Sequence, residues 1–305
     1  VSAGRERLLA ELRPVAFAIA YRMLGSVAEA EEVVQEALLR LNQALERGER
    51  IESPRAYLAT VTTRLAIDEL RSARARREAY VGDWLPEPVL AEPAAGPAER
   101  VELAESLSVA FLVLLESLTP EERAVLILHD VFDYGYGEVA EIVGKSEANA
   151  RQLAVRARRH VEQRPHRFEG SGERREELGD RFFAAAEQGD LGALEELLAR
   201  DVVLRGDGGG KVPALARALH GADRVAGTLA NWNRQGARAG GSMRRATING
   251  LPGALMLDAD GGLIGAMSLE VAGGAIVAVN SVVNPEKLRH LGRVGDMRGM
   301  LGRDR

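Results

Sequence analysis

The chain has 305 residues, with 40 basic and 45 acidic side chains, a formal net charge of −5 and no cysteine. The length predicts two or three domains, each able to bury a core. The charge excludes a uniformly basic nucleic-acid coat, and the lack of cysteine excludes disulfides and cysteine-ligated zinc.

In chain order, residues 5–24 read as a helix through Leu8, Leu9, Leu12, Val15, Ala16, Ile19 and Leu24. Pro14 is predicted to kink it or to mark a late start. Gly25 stops it, and Ser26 with Glu29 forms an S-x-x-E capping box that opens a helix to about Leu45. Val33, Val34, Ala37, Leu38 and Leu41 lie near one side of that helix, and Glu29, Glu32, Gln35, Glu36 and Arg40 lie largely off it. After a polar loop, Ser53-Pro54 supplies an N-cap and a first-turn proline for a third helix. Its C-terminal half is basic: Arg64–Arg77 holds five arginines against Asp68 and Glu69.

Residues 79–100 carry four prolines and two glycines, which predicts an extended linker. Within it, Trp84, Leu85, Pro86, Glu87 and Pro88 spell W-L-P-E-P. A tryptophan in a polar linker is expected to dock, because its area is costly to leave wet. Residues 101–131 read as two helices, the second opened by Thr119-Pro120-Glu121-Glu122. Next comes a short apolar helix of Val139, Ala140, Ile142 and Val143, ended by Gly144, and Ser146 then caps another. In that helix Ala150, Leu153, Ala154, Ala157 and Val161 form one stripe, opposite Arg151, Gln152, Val155, Arg156, Arg158 and Arg159. The pair reads as a helix-turn-helix, or as an ordinary helical pair with a basic outer face. In the first reading the arginines meet phosphates or guanine edges, Gln152 meets adenine, and Val155 or Ala148 meets a thymine methyl.

Beyond a second linker at 165–174 the texture changes. Helices are predicted at Arg175–Gln188, Leu191–Arg200 and Gly221–Gln235. Strands are predicted at Val202–Arg205, Met243–Ile248, Ala254–Asp258, Leu263–Val271 and Ile276–Val283. This order implies a curved antiparallel sheet with helices closing its concave face. Asp207-Gly208-Gly209-Gly210-Lys211 is not a phosphate loop, because Arg205 and Val212 stand where glycine and Ser/Thr are required. Acid–base catalysis would need a positioned pair. This part offers His220 and His290, and Asp207 and Asp223 read as turn and cap residues. No catalytic residue, metal or cofactor is therefore expected. The Gly/Arg-rich segment Arg289–Arg305 is expected to be disordered. No run approaches membrane-spanning length and the N-terminal residues lack a signal peptide's apolar stretch, so a cytoplasmic chain with no membrane partner is expected.

Three strings stand in the order and spacing of a bacterial sigma factor: AYRMLGSVAEAEEVVQEALLRL, SPRAYLATVTTRLAIDELRSARARR and the helix-turn-helix. They resemble the short extracytoplasmic-function (ECF) group. W-L-P-E-P, D-G-G-G-K and Asn284-Pro285-Glu286-Lys287-Leu288 resemble the marks of a subgroup with a SnoaL-like extension. The resemblance implies a multidomain chain: all-α σ2 at 1–78, the linker at 79–100, all-α σ4 at 101–164, a second linker at 165–174, an α+β SnoaL-like cone-shaped barrel at 175–290, and a disordered tail at 291–305.

It also implies partners and roles. The chain would bind core RNA polymerase, at the β′ clamp helices and the β flap, and would direct initiation at promoter DNA. The polymerase face would use Glu32, Val33, Gln35, Glu36, Leu38 and Leu39. The melted −10 strand would meet Arg64, Asp68, Arg71 and Arg74, with a flipped base captured near Glu46–Ser53. Asparagine often stands in the group where Arg64 stands here, so the −10 preference does not carry over. The −35 duplex would meet Ala148, Asn149, Arg151, Gln152, Val155 and Arg156. The extension is expected to act in cis, leaning on σ2 or the linker. Its contacts would be Trp84, Leu85, Pro86, Glu87 and Pro88 with Asp207, Gly208, Gly209, Gly210 and Lys211 and with Asn284, Pro285, Glu286 and Lys287. A small ligand in the barrel is left open. The alternatives are a ligand-sensing helix-turn-helix regulator that is not a polymerase subunit, and a SnoaL-like enzyme fused to a DNA-binding module.

Overall fold

The computed structural model describes residues 2–78, 80–90, 107–162 and 172–302. The chain forms two compact units, Val1–Glu78 with Leu112–Pro165 and Ala79–Phe111 with His166–Arg305.

The first unit begins with three helices, α1 (Ser2–Leu24), α2 (Val27–Glu46) and α3 (Pro54–Glu78), packed on one another. Ser26 caps α2 by accepting from Glu29 N at 3.3 Å. Ile19, Met23, Leu24, Val34, Leu41 and Leu58 are buried where the three meet. The late start considered at Pro14 is corrected, since α1 begins at Ser2 and continues through that residue. Pro14 and Ala10 are both exposed, so the carbonyl that loses its partner faces water.

After α4 (Val109–Leu115) comes α5 (Pro120–Leu126), opened by a reciprocal capping box between Thr119 and Glu122. A π-turn (Ile127–Val131) leads to α6 (Tyr136–Val143) and α7 (Glu147–Glu162). Gly144 sits at φ 66, the left-handed conformation that ends α6 without Cβ strain. Ala150, Leu153, Ala154 and Ala157 are buried, as the stripe requires.

The second unit holds α8 (Gly172–Gln188), α9 (Leu191–Leu197) and α10 (Ala222–Arg238) against a six-stranded sheet. Its strands are β1 (Leu198–Asp207), β2 (Leu219–His220), β3 (Ser242–Ile248), β4 (Leu251–Leu257), β5 (Leu263–Ala272) and β6 (Ala275–Val282). They lie in the order β2-β1-β6-β5-β4-β3. Phe182, Phe183, Leu204, Leu229, Leu269 and Val279 belong to the core between helices and sheet.

Two expectations about the sheet are corrected. It is mixed, because β1 pairs β6 in parallel. The segment 198–200 is strand where helix was expected, with a register shift between Leu198 and Val203. A third correction concerns the tail. Residues 289–302 are ordered, as a 3₁₀ turn (Arg289–Leu291) and α12 (Met297–Gly302) following α11 (Pro285–Leu288). Leu263 N donates to Arg293 O and Gly295 N to Leu263 O, both at 2.8 Å. The Asp258 carboxylate accepts from the backbone of Asp260, Gly262 and Asp296. These bonds hold a segment whose composition alone would leave it loose.

Candidate functional site

The acidic helix α2 turns its apolar side inward. Val33 is buried and Leu38 half-buried, while Glu32, Gln35 and Leu39 are exposed. Leu39 is 49% exposed, unusual for a leucine, and sits one turn beyond the Glu36–Arg40 ion pair's first member. The outer face is therefore carboxylates around one apolar knob, a surface suited to a basic partner helix.

On α3, Arg64 and Arg71 are occupied. Arg64 donates from Nε to Ile142 O at 2.9 Å and from Nη2 to Glu141 O at 2.8 Å. These carbonyls end α6, where the helix dipole is negative and favours a cation. Arg71 bonds Asp68 at 3.1 Å and Glu121 at 2.6 Å. Arg74 lies in α3, and its side chain falls outside the described residues. The buried Arg123 repeats the pattern of Arg64, donating to Met23 O at the end of α1 at 2.6 Å and to Leu115 O at 3.0 Å. The sequence carried no signal for these contacts, since an arginine that caps another helix looks like one that faces DNA.

On α7, Ala148, Asn149, Arg151, Gln152, Val155 and Arg156 are all exposed, on the face opposite the buried stripe. Val155 is 46% exposed. Arg151 pairs with Glu147 at 2.5 Å and lies 4.6 Å from the Tyr136 ring. Arg156 bonds Glu122 at 3.0 Å, and Arg158 bonds Asp130. The face thus presents held cations at its edges with Gln152 and Val155 between them.

In the second unit the W-L-P-E-P segment lies against the sheet domain. The centre is Asp207, expected as a turn residue and found fully buried at the end of β1. Its Oδ1 accepts from Tyr80 Oη at 2.5 Å and Gly209 N at 3.1 Å. Its Oδ2 accepts from Leu85 N at 2.8 Å and Lys287 Nζ at 2.7 Å. Lys287 also donates to Leu85 O at 2.5 Å, and its ammonium lies 4.2 Å from the Trp84 ring and 4.9 Å from that of Tyr80. A buried carboxylate and ammonium are tolerable because each is paired and further hydrogen-bonded. Burial first, and then the bond to Asp207, raise the Tyr80 phenol well above its usual range.

The two sequence motifs shape this site. A Cβ on Gly209 (φ 56) would overlap the Asn284 amide, and one on Gly208 would lie 2.6 Å from Val212 O. Gly210 (φ 69) lets the chain pass Val81. Asn284 donates to Tyr80 Oη at 2.9 Å and caps α11 by accepting from Glu286 N at 3.1 Å. Pro285 opens that helix, and Glu286 pairs with Lys211 at the surface at 2.8 Å. Leu85, Pro86, Glu87 and Pro88 are buried.

Three contacts were not anticipated. Tyr80 was missed because it precedes the motif. Asn249 exchanges bonds with Val89 in both directions, at 2.8 and 3.1 Å, and donates to Leu107 O. It has φ 52 in an Asn-Gly hairpin turn, the signal that could have drawn attention to it. His290, assigned to the tail, bonds Pro88 O at 2.7 Å through Nε2.

Comparison with known proteins agrees with this geometry. The model of sigma-70 region 2 matches residues 8–76 and that of sigma-70 region 4 matches residues 108–161. The chain is 43% identical over 246 residues to the ECF RNA polymerase sigma factor SigJ of Mycobacterium tuberculosis, covering 80% of this chain and 78% of that one. It is 34% identical over 219 residues to the probable ECF RNA polymerase sigma factor SigI of the same species, covering 70% and 72%. The crystal structure of Mycobacterium tuberculosis SigJ superposes with a TM-score of 0.73 at 36% identity, over 93% of this chain and 98% of that one. With both sigma-70 region models matched and relatives matched along most of their length, the chain belongs to the ECF RNA polymerase sigma factors, in the subgroup with a SnoaL-like C-terminal domain.

Proposed function

We propose that this sigma factor is controlled in cis by its own C-terminal domain, which clasps the linker between σ2 (1–78) and σ4 (101–164). Core polymerase takes the acidic face of α2 on its β′ clamp helices and σ4 on its β flap. Promoter DNA is read twice, as −35 duplex by the exposed face of α7 and as a melted −10 strand by α3. The reading places the chain in the cytoplasm with the polymerase and gives the SnoaL-like domain a regulatory role in place of catalysis.

One observation carries the proposal: Leu85 of the linker is gripped at both backbone groups, its N–H by Asp207 and its carbonyl by Lys287. Main-chain recognition at a buried ion pair fixes the path of the linker, not merely its composition. Because clasp and linker share one chain, even a weak grip is populated; a short tether supplies an effective concentration of about millimolar. The path of the linker sets how far σ4 can reach from σ2, and so which spacing between −35 and −10 is served.

Run-off transcription tests this with full-length protein and sigma-free core polymerase, on promoters whose −35 to −10 spacing is varied by one base pair at a time. Asp207→Ala should change the yield or the preferred spacing while core binding is retained. Yield and spacing profile both unchanged, with the linker demonstrably released, would remove the cis-control reading.

A further inference from the structure

The second unit holds a partly open pocket of about 620 Å³, within the range that holds drug-sized molecules. It is walled by α8, α10, the sheet and α12. Five of the six methionines in the chain line it: Met243, Met256, Met267, Met297 and Met300. Phe182, Phe183 and Trp232 supply aromatic faces. Thioether side chains adapt to irregular apolar guests, and an interior that stays apolar and open forfeits dispersion contacts that a guest would restore.

The chemistry of the lining restricts the guest. Among the lining residues described, Glu187 is the one charged side chain, and it pairs with Arg245 at 3.4 Å. No lining cation is offered to a carboxylate or phosphate. Polar points are few. Ser281 on β6 lines the cavity at 3% exposure and brings a hydroxyl to this wall. Asn233 donates its amide to the Ala186 and Glu187 carbonyls, which leaves its oxygen to accept.

The cavity wall and the linker clasp use adjacent residues. Gly206 and Val283 line the cavity, while Asp207 and Asn284, their chain neighbours, hold the linker. Val283 N donates to Asp207 O at 2.8 Å, tying the two strand ends together. Leu215, also lining, packs so closely that a Cβ on Gly206 would lie 3.2 Å from its backbone nitrogen.

We propose that the cavity is a binding site for a neutral, mainly apolar small molecule bearing a hydroxyl or carbonyl group, and that its occupancy is felt at the Leu85 clasp through Gly206, Leu215 and Val283. This inference rests on the cis-control reading above and names its effector class. A guest acts as a switch because it binds the clasped and released forms unequally, the two forms differing at the wall it touches.

The test uses the full chain and N-phenyl-1-naphthylamine, a neutral apolar dye that brightens in dry sites. Saturable brightening near one dye per chain is expected. Leu229→Trp fills the cavity and Ala237→Trp narrows its rim from an exposed helix position. Whichever folds with the wild-type melting profile should bind at least tenfold more weakly. Absence of saturable brightening, or equal affinity in the folded variants, overturns the site. Hydrogen exchange at the Leu85 amide, with and without dye, reads the coupling, and a several-fold change is expected. Slow exchange that ignores the dye overturns the coupling alone. Fast exchange even without dye would instead count against the clasp itself.

Discussion

Asp207 and Lys287 lie eighty residues apart in sequence and meet at 2.7 Å, with side chains 0% and 8% exposed, and between them they hold both backbone groups of Leu85. Removing one member strands the other as a buried charge, which costs about 3–5 kcal/mol. Asp207→Ala and Lys287→Met should each lower the unfolding free energy of the second unit, measured by urea titration, by that order. The double variant should cost much less than the sum. Full additivity in the double-mutant cycle would mean the pair is not coupled in solution.

Tyr80 extends this site to alkaline pH. Its phenol is raised by burial first and by the Asp207 bond second. Above about pH 10 the unfolded phenol ionises while the folded one keeps its proton, so the folded state binds more protons and stability falls as pH rises. Below that range the contribution is fully present. Melting curves between pH 8 and 11 should therefore slope more steeply for wild type than for Tyr80→Phe. Parallel slopes would contradict the buried hydrogen bond.

Legibility from sequence varied with the range of the interaction. Gly144, Ser146 and the Ala150/Leu153/Ala154/Ala157 stripe are local signals, and they gave a helix-turn-helix that the structure contains. The same holds for Ser26 and Ser53-Pro54 at helix starts. By contrast, the parallel pairing of β1 with β6 joins residues about seventy-five apart, and alternation within either strand cannot state its partner. The apolar run Leu194, Leu197, Leu198 fits helical spacing, so the change to strand at Leu198 was hidden. The motifs around Asp207 and Asn284 marked the clasp by resemblance. Their chemistry was not readable, because aspartate and lysine are ordinarily surface residues and only the fold shows these two buried.

Arg71 and Glu121 make an acid-sensitive contact between α3 and α5 at 2.6 Å. Burial opposes ionisation of Glu121, but the hydrogen bond and charge of Arg71 outweigh it and hold the carboxyl below its ordinary value. Its contribution is present above the unfolded carboxylate range and is lost as pH falls through the lowered folded value. Glu121→Gln should make the acid limb of the stability curve shallower. It should also tighten binding of a single-stranded −10 oligonucleotide, since Arg71 loses the shorter of its two carboxylate contacts and keeps only Asp68 at 3.1 Å. No gain in that affinity would argue that Arg71 does not reach the strand.

Leu39 tests the proposed polymerase face of α2 without disturbing the core. At 49% exposure it contributes little to folding, so Leu39→Asp should leave the melting midpoint within about 0.5 kcal/mol of wild type. Core polymerase binding, followed by fluorescence anisotropy of labelled protein, should weaken about tenfold or more, as loss of an apolar anchor at an interface predicts. Undiminished binding would move the polymerase contact off this face of α2.

The exposed face of α7, proposed to read the −35 duplex, separates into two kinds of residue, and salt tells them apart. Gln152 and Val155 stand exposed in mid-face, whereas Arg156 is steered by Glu122 at 3.0 Å toward the edge. Gln152→Ala should cost about 1–3 kcal/mol on the best −35 duplex and relax preference at one base pair, with the salt dependence unchanged. Val155→Ala should behave likewise at a thymine, through loss of contact with its methyl. Arg156→Ala should weaken all duplexes about equally and reduce the slope of log affinity against log salt by about one, the loss of one phosphate contact. Gel-shift titrations at three salt concentrations over a randomised −35 set measure both quantities at once. If Gln152→Ala lowered the salt slope and Arg156→Ala relaxed a base preference instead, the two roles would be exchanged and α7 would be rotated in the groove from the orientation its buried stripe requires.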